Sequence, residues 1–290
     1  MKRLFVHMII MMAASVLSCG CTSNHVHEIS LPREFQFNVT VNPCTRTADE
    51  LLHPSDVPLG MWSFDNDGTV FLEDEMVTYK DEGKWVPENQ KMWDEDIEEM
   101  DFIAYSPYGE AVYDKEKGIC FLNYDIDEGL DLLYSDPLVD QKKEGSSTVI
   151  QINMMRALSL VRFKARTVVP DNTEIVVKRV EVENVRGTGD FQSFPEPHWT
   201  NYSSFRDFCF YDGSLSLNGY PSALGDGLYM IPQFSNVKVN VLCDIIKGEV
   251  ALRDQMLTCN ETMQWRPGKI AAYLIKIDGE LNVTVEKDNE

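Results

Sequence analysis

Apolar and polar residues alternate with period two along much of this chain. The clearest case is FQFNVTV, whose apolar residues are Phe35, Phe37, Val39 and Val41. Such alternation is typical of a β-strand with one buried face. The same pattern recurs in VRFKAR from Val161 and in VKVNV from Val237. In the C-terminal stretch LNVTV the apolar positions are Leu281, Val283 and Val285.

The rest of the pattern predicts more strands and almost no helix. Apolar residues do not recur at helical spacing over any long stretch, and only TADELLH and EGLDLLYS could form short helices. Turn sequences such as DNDG, DKEKG, RGTGD and RPGK separate the apolar runs. Many short strands between turns predict an all-β fold of β-sandwiches with Greek-key connections and few short helices.

The first residues have the features of an export signal. Lys2 and Arg3 precede the apolar segment LFVHMIIMMAASVL, which is too short to span a bilayer comfortably. The next residues, VLSC, resemble a lipoprotein box: an aliphatic residue, a tolerated residue, a small residue and a cysteine. We therefore predict that residues 1–18 are removed and that Cys19 carries acyl chains, palmitate among them, which hold the protein at the outer membrane.

The second cysteine of this stretch leaves two alternatives. Cys21 follows Gly20 and is the other candidate for lipidation. A C-x-C metal site with His25 and His27 is a competing interpretation of Cys19 and Cys21. No second ligand pair follows at zinc-like spacing, and the pair falls at the expected cleavage point. We therefore favour lipidation and predict no metal site.

The charge of the chain excludes nucleic acid as a partner. Its 26 basic and 47 acidic residues give a net charge of −21. Loss of Lys2 and Arg3 leaves 24 against 47, or −23. Such a surface repels phosphate backbones and anionic lipid headgroups alike. The lipid chain is therefore the expected means of membrane attachment.

Length and composition predict two domains. Without residues 1–18, 272 of the 290 residues remain, which suits two domains of common size. The polar stretch VDQKKEGSSTV lies near the middle and precedes a new set of predicted strands. We place a tether at residues 19–34, an N-terminal β-sandwich at 35–145 and a C-terminal β-sandwich at 146–290.

Two acidic stretches could carry chemistry. DNDG, Asp65 to Gly68, could bind calcium with Ser63 as first ligand, but no helix flanks it, and a hairpin turn uses the same residues. Asp94 to Asp101 could supply paired carboxylates for glycoside hydrolysis, but charge runs usually form solvated faces. Motifs for a serine nucleophile, a zinc protease or a phosphate loop are absent from the sequence. We predict neither an enzyme nor a cofactor.

Tryptophans and cysteines leave further alternatives open. The tryptophans could form an exposed platform that stacks on sugars or could be core residues: Trp62, Trp85, Trp93, Trp199 and Trp265. Five cysteines follow Cys19 and Cys21, an odd number whose pairing the sequence does not determine: Cys44, Cys120, Cys209, Cys243 and Cys259. Cys120 and Cys243 lie in apolar runs and are expected in the core.

Several phrases, in order, resemble the fimbrillin family, the lipoprotein pilins of type V pili and their Bacteroidota relatives. MWDEDIEEMDFIAYSPY is similar to its Trp-then-F-x-A-Y-x-P strand, and GLDLLYSDPLVDQ to its D-L-L-Y segment. MMRALSLVRFKA resembles the strand that opens the second domain, with Arg156 where the family usually has His. VVKRVEVENVRGTGDF, LYMIPQ and QWRPGKIAAYLIKI complete the series.

This resemblance implies two tandem transthyretin-like β-sandwich domains and export as a lipoprotein. It also implies assembly into surface fimbriae that support adhesion. The expected partners are other fimbrial subunits, an Arg-specific protease, the outer membrane through the lipid, and host proteins or glycans. In the major subunits that protease cuts after an arginine that follows the first strand. Arg46, in NPCTRTADE, has that place here; the alternative is an exposed loop arginine with no role.

A removable first strand has a physical rationale. We expect residues 35–43 to lie at a sheet edge, so that cleavage at Arg46 frees the strand and leaves a groove. A strand of a neighbouring subunit would then fill the groove. LNVTV has the alternation of such a donor but could equally close the second domain. The sequence therefore leaves open whether the chain is a stalk, anchor, accessory or tip subunit.

The competing hypothesis is a surface lipoprotein that binds glycans and never polymerises. It requires tryptophan side chains at the surface, where they can stack on sugar rings.

Overall fold

The structure is a computed structural model that describes residues 33–42, 55–80, 83–89, 91–126, 131–143, 148–169 and 172–288. Some predictions lie outside these residues. They concern the signal segment 1–18, Cys19, Cys21, Cys44, Arg46 and the helix TADELLH.

The described residues form β-strands and no α-helix, which confirms the all-β prediction. None of the described elements is a helix that could cross a bilayer. The first twelve strands are β1 (Arg33–Glu34), β2 (Gln36–Val41), β3 (Leu59–Asp65), β4 (Val70–Lys80), β5 (Lys84–Pro87), β6 (Met92–Trp93), β7 (Glu99–Ser106), β8 (Val112–Asp114), β9 (Gly118–Asp125), β10 (Leu133–Ser135), β11 (Leu138–Lys142) and β12 (Val149–Arg156). The others are β13 (Ser159–Val168), β14 (Thr173–Arg186), β15 (Thr188–Gln192), β16 (His198–Thr200), β17 (Phe205–Ser216), β18 (Ser222–Ala223), β19 (Leu228–Met230), β20 (Phe234–Lys247), β21 (Val250–Gln264), β22 (Ile270–Asp278) and β23 (Val283–Lys287).

The largest sheet closes on itself. Its strand order is β10-β12-β2-β5-β4-β3-β7-β11, and β10 also pairs with β7. Seven strands therefore form a ring, and β11 lies beside β7 outside it. Every strand of the ring contributes buried apolar side chains to one hydrophobic cluster. Closure leaves the ring strands without an open edge on either side.

Three further sheets surround a second, larger cluster. Their strand orders are β16-β15-β9-β8, β18-β13-β22-β23 with β19 beside β13, and β17-β14-β20-β21. Trp62 and Tyr105, on strands of the ring, also belong to this cluster. Tyr134 of β10 belongs to it too, so the two clusters share the strands β3, β7 and β10.

Strands from both sides of residue 145 share sheets. Beyond that predicted boundary, β12 pairs in the ring with β2 and β10. Likewise β15 pairs with β9, whose residues precede the boundary. The division into domains at 35–145 and 146–290 stays a prediction, and these pairings cross it.

Two local predictions are wrong. Leu133–Ser135, the described C-terminal part of EGLDLLYS, is a strand rather than a helix, because it pairs with β12 and β7. Leu281 precedes the last strand and lies in a turn, with φ of 66° and its N–H donating to Asp278 O at 3.0 Å. Asp278 Oδ1 also accepts from the N–H of Asn282 at 2.9 Å, so this carboxylate organises the turn.

The buried face of β2 gives a stability prediction. Phe37 is fully buried, so we expect Phe37→Ala to lower the free energy of unfolding by about 3–5 kcal/mol through the cavity it leaves. Asn38→Ala, on the exposed face of the same strand, is the control and should cost about 1 kcal/mol or less. Denaturant unfolding of both variants measures the difference. Equal losses would mean that Phe37 does not fill the core.

Candidate functional site

The first strand lies inside a sheet. β2 runs parallel to β12 over six residue pairs, from Gln36 beside Val149 to Val41 beside Met154. On its other side it pairs antiparallel with β5, where Phe37 faces Trp85. The expectation that residues 35–43 lie at a sheet edge is therefore wrong. The side of β2 that was expected to be open is covered by β12, a strand more than 100 residues further along the chain.

Alternate side chains of this segment fill the ring. Four of them are at most 2% exposed: Phe35, Phe37, Val39 and Val41. The ring centroid of Phe35 lies 5.5 Å from that of Trp93 and 5.9 Å from that of Phe102. Phe37 meets Phe102 edge-on at 5.8 Å. The burial follows the alternation in the sequence, and the role of these residues in strand exchange stays a prediction.

The opposite face of the strand is polar and bonded to its parallel neighbour. Asn38 Nδ2 donates to Gln151 Oε1 at 2.8 Å, and Thr40 Oγ1 donates to Asn153 Oδ1 at 2.5 Å. The strand at this position therefore has apolar residues on one face and amide or hydroxyl residues on the other. A replacement strand needs the same alternation in the same register.

An arginine holds the C-terminal end of the segment. Arg156 Nη1 donates to the carbonyl oxygen of Asn42 at 2.9 Å, and its Nε donates to Asp131 Oδ2 at 2.7 Å. The N–H of Asn42 donates to Met154 O at 2.8 Å. Burial raises the pKa of Asp131 to about 6, although the Arg156 cation opposes this. The sequence singles out Arg156 only by its departure from the usual His, and nothing in the pattern identifies Asp131.

The candidate donor segment forms part of its own sheet. Val283–Lys287 pairs with β22 as the last strand of that sheet. Val283 and Val285 are buried in the larger cluster, and Leu281 packs against it. A donor role for Leu281, Val283 and Val285 stays a prediction, and it would require these residues to leave this core.

The calcium interpretation of DNDG has no support in the structure. Asp65 Oδ1 accepts from the N–H groups of Asp67 and Thr69 at 3.0 and 2.8 Å, in the turn between β3 and β4. Gly68 has φ of 77°, which favours glycine. Ser63 is buried and its Oγ accepts from the N–H of Leu72. The described ranges contain no group of three side chains that could hold a metal ion.

The acidic run makes structural contacts. Glu99 pairs with Lys142 at 2.7 Å, and Asp101 Oδ1 accepts from the N–H of Asp140 at 2.8 Å. Asp94 Oδ1 accepts from the N–H of Asp96 at 3.1 Å. These contacts support a solvated turn and strand end, and they give no pair of carboxylates set up for hydrolysis.

The interpretation of the tryptophans as an exposed sugar-stacking platform is wrong. All five tryptophans are at most 7% exposed: Trp62, Trp85, Trp93, Trp199 and Trp265. Two indole N–H groups are bonded within the protein: Trp199 Nε1 donates to Ala157 O at 2.8 Å and Trp93 Nε1 to Ile97 O at 2.9 Å. Their rings fill core positions and present no face to a glycan.

The cysteines of the described ranges are free thiols. Cys120 and Cys243 are buried, as their apolar surroundings predict, and Cys209 and Cys259 are half-buried. Burial raises the pKa of Cys243 and of Cys259 to about 11. At neutral pH these two thiols are therefore protonated and weakly nucleophilic.

Comparison with known proteins agrees with the resemblance seen in the sequence. Residues 45–288 match a family model described as fimbrillin-like, so the matched region begins after β2. A fimbrial protein of Bacteroides vulgatus has a similar structure, with a TM-score of 0.62 and 16% identity over 87% of this chain and 98% of that one. A proposed cell adhesion protein of Bacteroides ovatus has a TM-score of 0.60 and 13% identity over 89% and 97%. At such identities these two likenesses show the fold. No curated protein matches the sequence.

The pair of Asp131 and Arg156 gives a pH prediction. The native pKa of Asp131, about 6, lies above that of an unfolded carboxyl, about 4. Its stabilising contribution is therefore complete below about pH 4 and is lost as the pH rises through about 6. Asp131→Asn cannot ionise, so we expect wild type to lose about 1–3 kcal/mol relative to this variant between these pH values.

Urea unfolding of both proteins from pH 4 to pH 7 measures this difference. A stability difference that stays constant across the range would show that Asp131 has an ordinary pKa.

Proposed function

Because the chain belongs to the fimbrillin-like family, we propose that it is an adhesion-related fimbrial subunit at the cell surface. Other fimbrial subunits are its partners, and its role is structural rather than enzymatic. We propose further that it is exported as a lipoprotein through Cys19 and joins its neighbours by exchange of the first strand. The observation that carries the exchange is the burial of Phe35, Phe37, Val39 and Val41 inside the ring.

Removal of the first strand would leave a slot with two walls. β12 would lose its parallel partner on one side and β5 its antiparallel partner on the other. Burial of each of the four side chains is worth roughly 1.5–3 kcal/mol, so the empty slot is unstable by itself. An incoming strand can restore both the apolar filling and the hydrogen bonds. An inner slot therefore binds a donor more completely than an edge would.

The two walls are unequal. Six registered pairs join the strand to β12, whereas one pair joins it to β5. The hydrogen bonds that retain a cut strand therefore lie mainly on the β12 side, where Arg156 also holds Asn42. Exit would begin on the β5 side, and a donor would have to form the parallel ladder with β12.

Cleavage after Arg46 would separate the first strand from the rest of the chain. We expect treatment of the purified protein with an Arg-specific protease to remove residues up to 46 and to give multimers that survive unheated gel electrophoresis. The Arg46→Gln variant should stay uncut at this position and should give no multimers on these gels. Mass spectrometry of the products and unheated gels measure the two results.

Two outcomes would contradict the exchange. One is cleavage at residue 46 after which the first strand stays bound and no multimers form. The other is multimers in equal amount from Arg46→Gln, which would show that assembly does not depend on this cut.

The lipid anchor has its own test. We expect Cys19→Ala to abolish incorporation of labelled palmitate and to release the protein from the outer-membrane fraction, because the acyl chains provide the attachment. Cys21→Ala is the matched control and should keep both label and location. Loss of label in Cys21→Ala alone would assign the anchor to Cys21 instead.

A further inference from the structure

The sheet β17-β14-β20-β21 has two outer strands of different character. β17 pairs with β14 through three register irregularities and carries Arg206, Asp207 and Asp212. Irregularities and charges of this kind prevent a sheet edge from pairing with other chains. The edge at β17 is therefore protected in the usual way.

The opposite edge lacks this protection. Ten consecutive residues of β21, Gln255–Gln264, pair with Phe234–Cys243 without a shift in register. Glu261 is the one charged residue among the ten, and lysine and proline are absent from them. Within the described ranges no strand pairs with the outer side of β21. A bulge at Arg253 and Asp254, where Asp254 has φ of 53°, ends the flat portion.

A flat edge of this length exposes unpaired N–H and C=O groups to any strand of matching pattern. It would extend about 30 Å at the usual rise per residue. We propose that Met256–Gln264 pairs antiparallel with the same segment of a second copy of this chain, around a two-fold axis at Asn260. This surface is separate from the slot of the first strand and does not depend on the exchange.

The sequence of the segment is complementary to itself about that axis. Thr258 of one copy faces Thr262 of the other, and the inward-facing Leu257 faces Met263. Like charges do not face each other anywhere along the paired residues. Such mutual contacts are what a two-fold interface requires.

A groove beside the edge adds charge complementarity. It has a volume of about 480 Å³ between β21 and β23, and its floor includes Met263, Tyr273 and Val285. Three cations line it against one carboxylate: Arg266, Lys269 and Lys287 against Glu261. On a chain of net charge −21 this is a locally positive region, and it lies beside the edge at which a second, negatively charged copy would pair.

The net charge sets the salt dependence of the dimer. Two copies of charge −21 repel each other at long range, and salt screens this repulsion. The backbone hydrogen bonds between the paired strands act only at contact, so salt weakens them much less. Association should therefore strengthen as the ionic strength rises from about 0.01 to 0.15 M. Weaker association at higher salt would contradict pairing between two copies of this chain.

Analytical ultracentrifugation of the purified full-length protein at concentrations up to about 1 mM tests the proposal. We expect a monomer–dimer equilibrium. Asn260→Lys places two like charges opposite each other at the axis and should weaken association at least about tenfold. Ser214→Lys introduces the same charge at another exposed position, on β17, and should leave the dimer affinity unchanged.

Amide hydrogen exchange locates the contact. Exchange of Met256–Gln264 should slow with rising protein concentration in wild type and in Ser214→Lys but not in Asn260→Lys. A protein that stays monomeric over the whole range would overturn the proposal. So would a dimer that Asn260→Lys leaves equally strong.

Discussion

The fold depends on the parallel pairing of β2 with β12. This contact joins residues 113 positions apart, as Asn38 and Gln151 show, and it closes the ring between β12 and β5. Bringing such distant segments together costs loop-closure entropy that the contact must offset. The burial of Phe35, Phe37 and their two alternating neighbours supplies that stabilisation. Without this segment the ring opens and its cluster meets water.

Where the alternation in the sequence is clear, it was sufficient to predict a strand and its buried face. FQFNVTV, VRFKAR and VKVNV all bury the side chains that period two assigns to one face. The alternation does not identify which strands pair with each other, because a parallel partner can lie anywhere further along the chain. A terminal segment with one apolar face therefore suggested an edge strand, while β12 covers its free side.

Other features of the site depended on tertiary contacts that no local pattern contains. From the sequence, Trp199 and the other tryptophans could equally form a sugar-binding platform or lie in the core. Their burial in the core follows from tertiary packing, which the sequence pattern does not contain. Arg156 and Asp131 meet because β12 and the segment before β10 converge, which brings a carboxylate beside the cation that holds Asn42. Sheets shared across residue 145 follow from the same long-range pairing.

The two surfaces proposed for association differ in what occupies them beforehand. The slot in the ring is filled by the chain's own strand, so a donor can enter only after four buried side chains leave, and the product is held by a core. The edge of β21 is open, so a second copy can pair without displacing anything. Pairing there gains a backbone ladder and little buried apolar area, which makes it reversible. As proposed, pairing at the edge would therefore be reversible and limited to two copies, whereas exchange at the slot would connect one subunit to the next and be lasting.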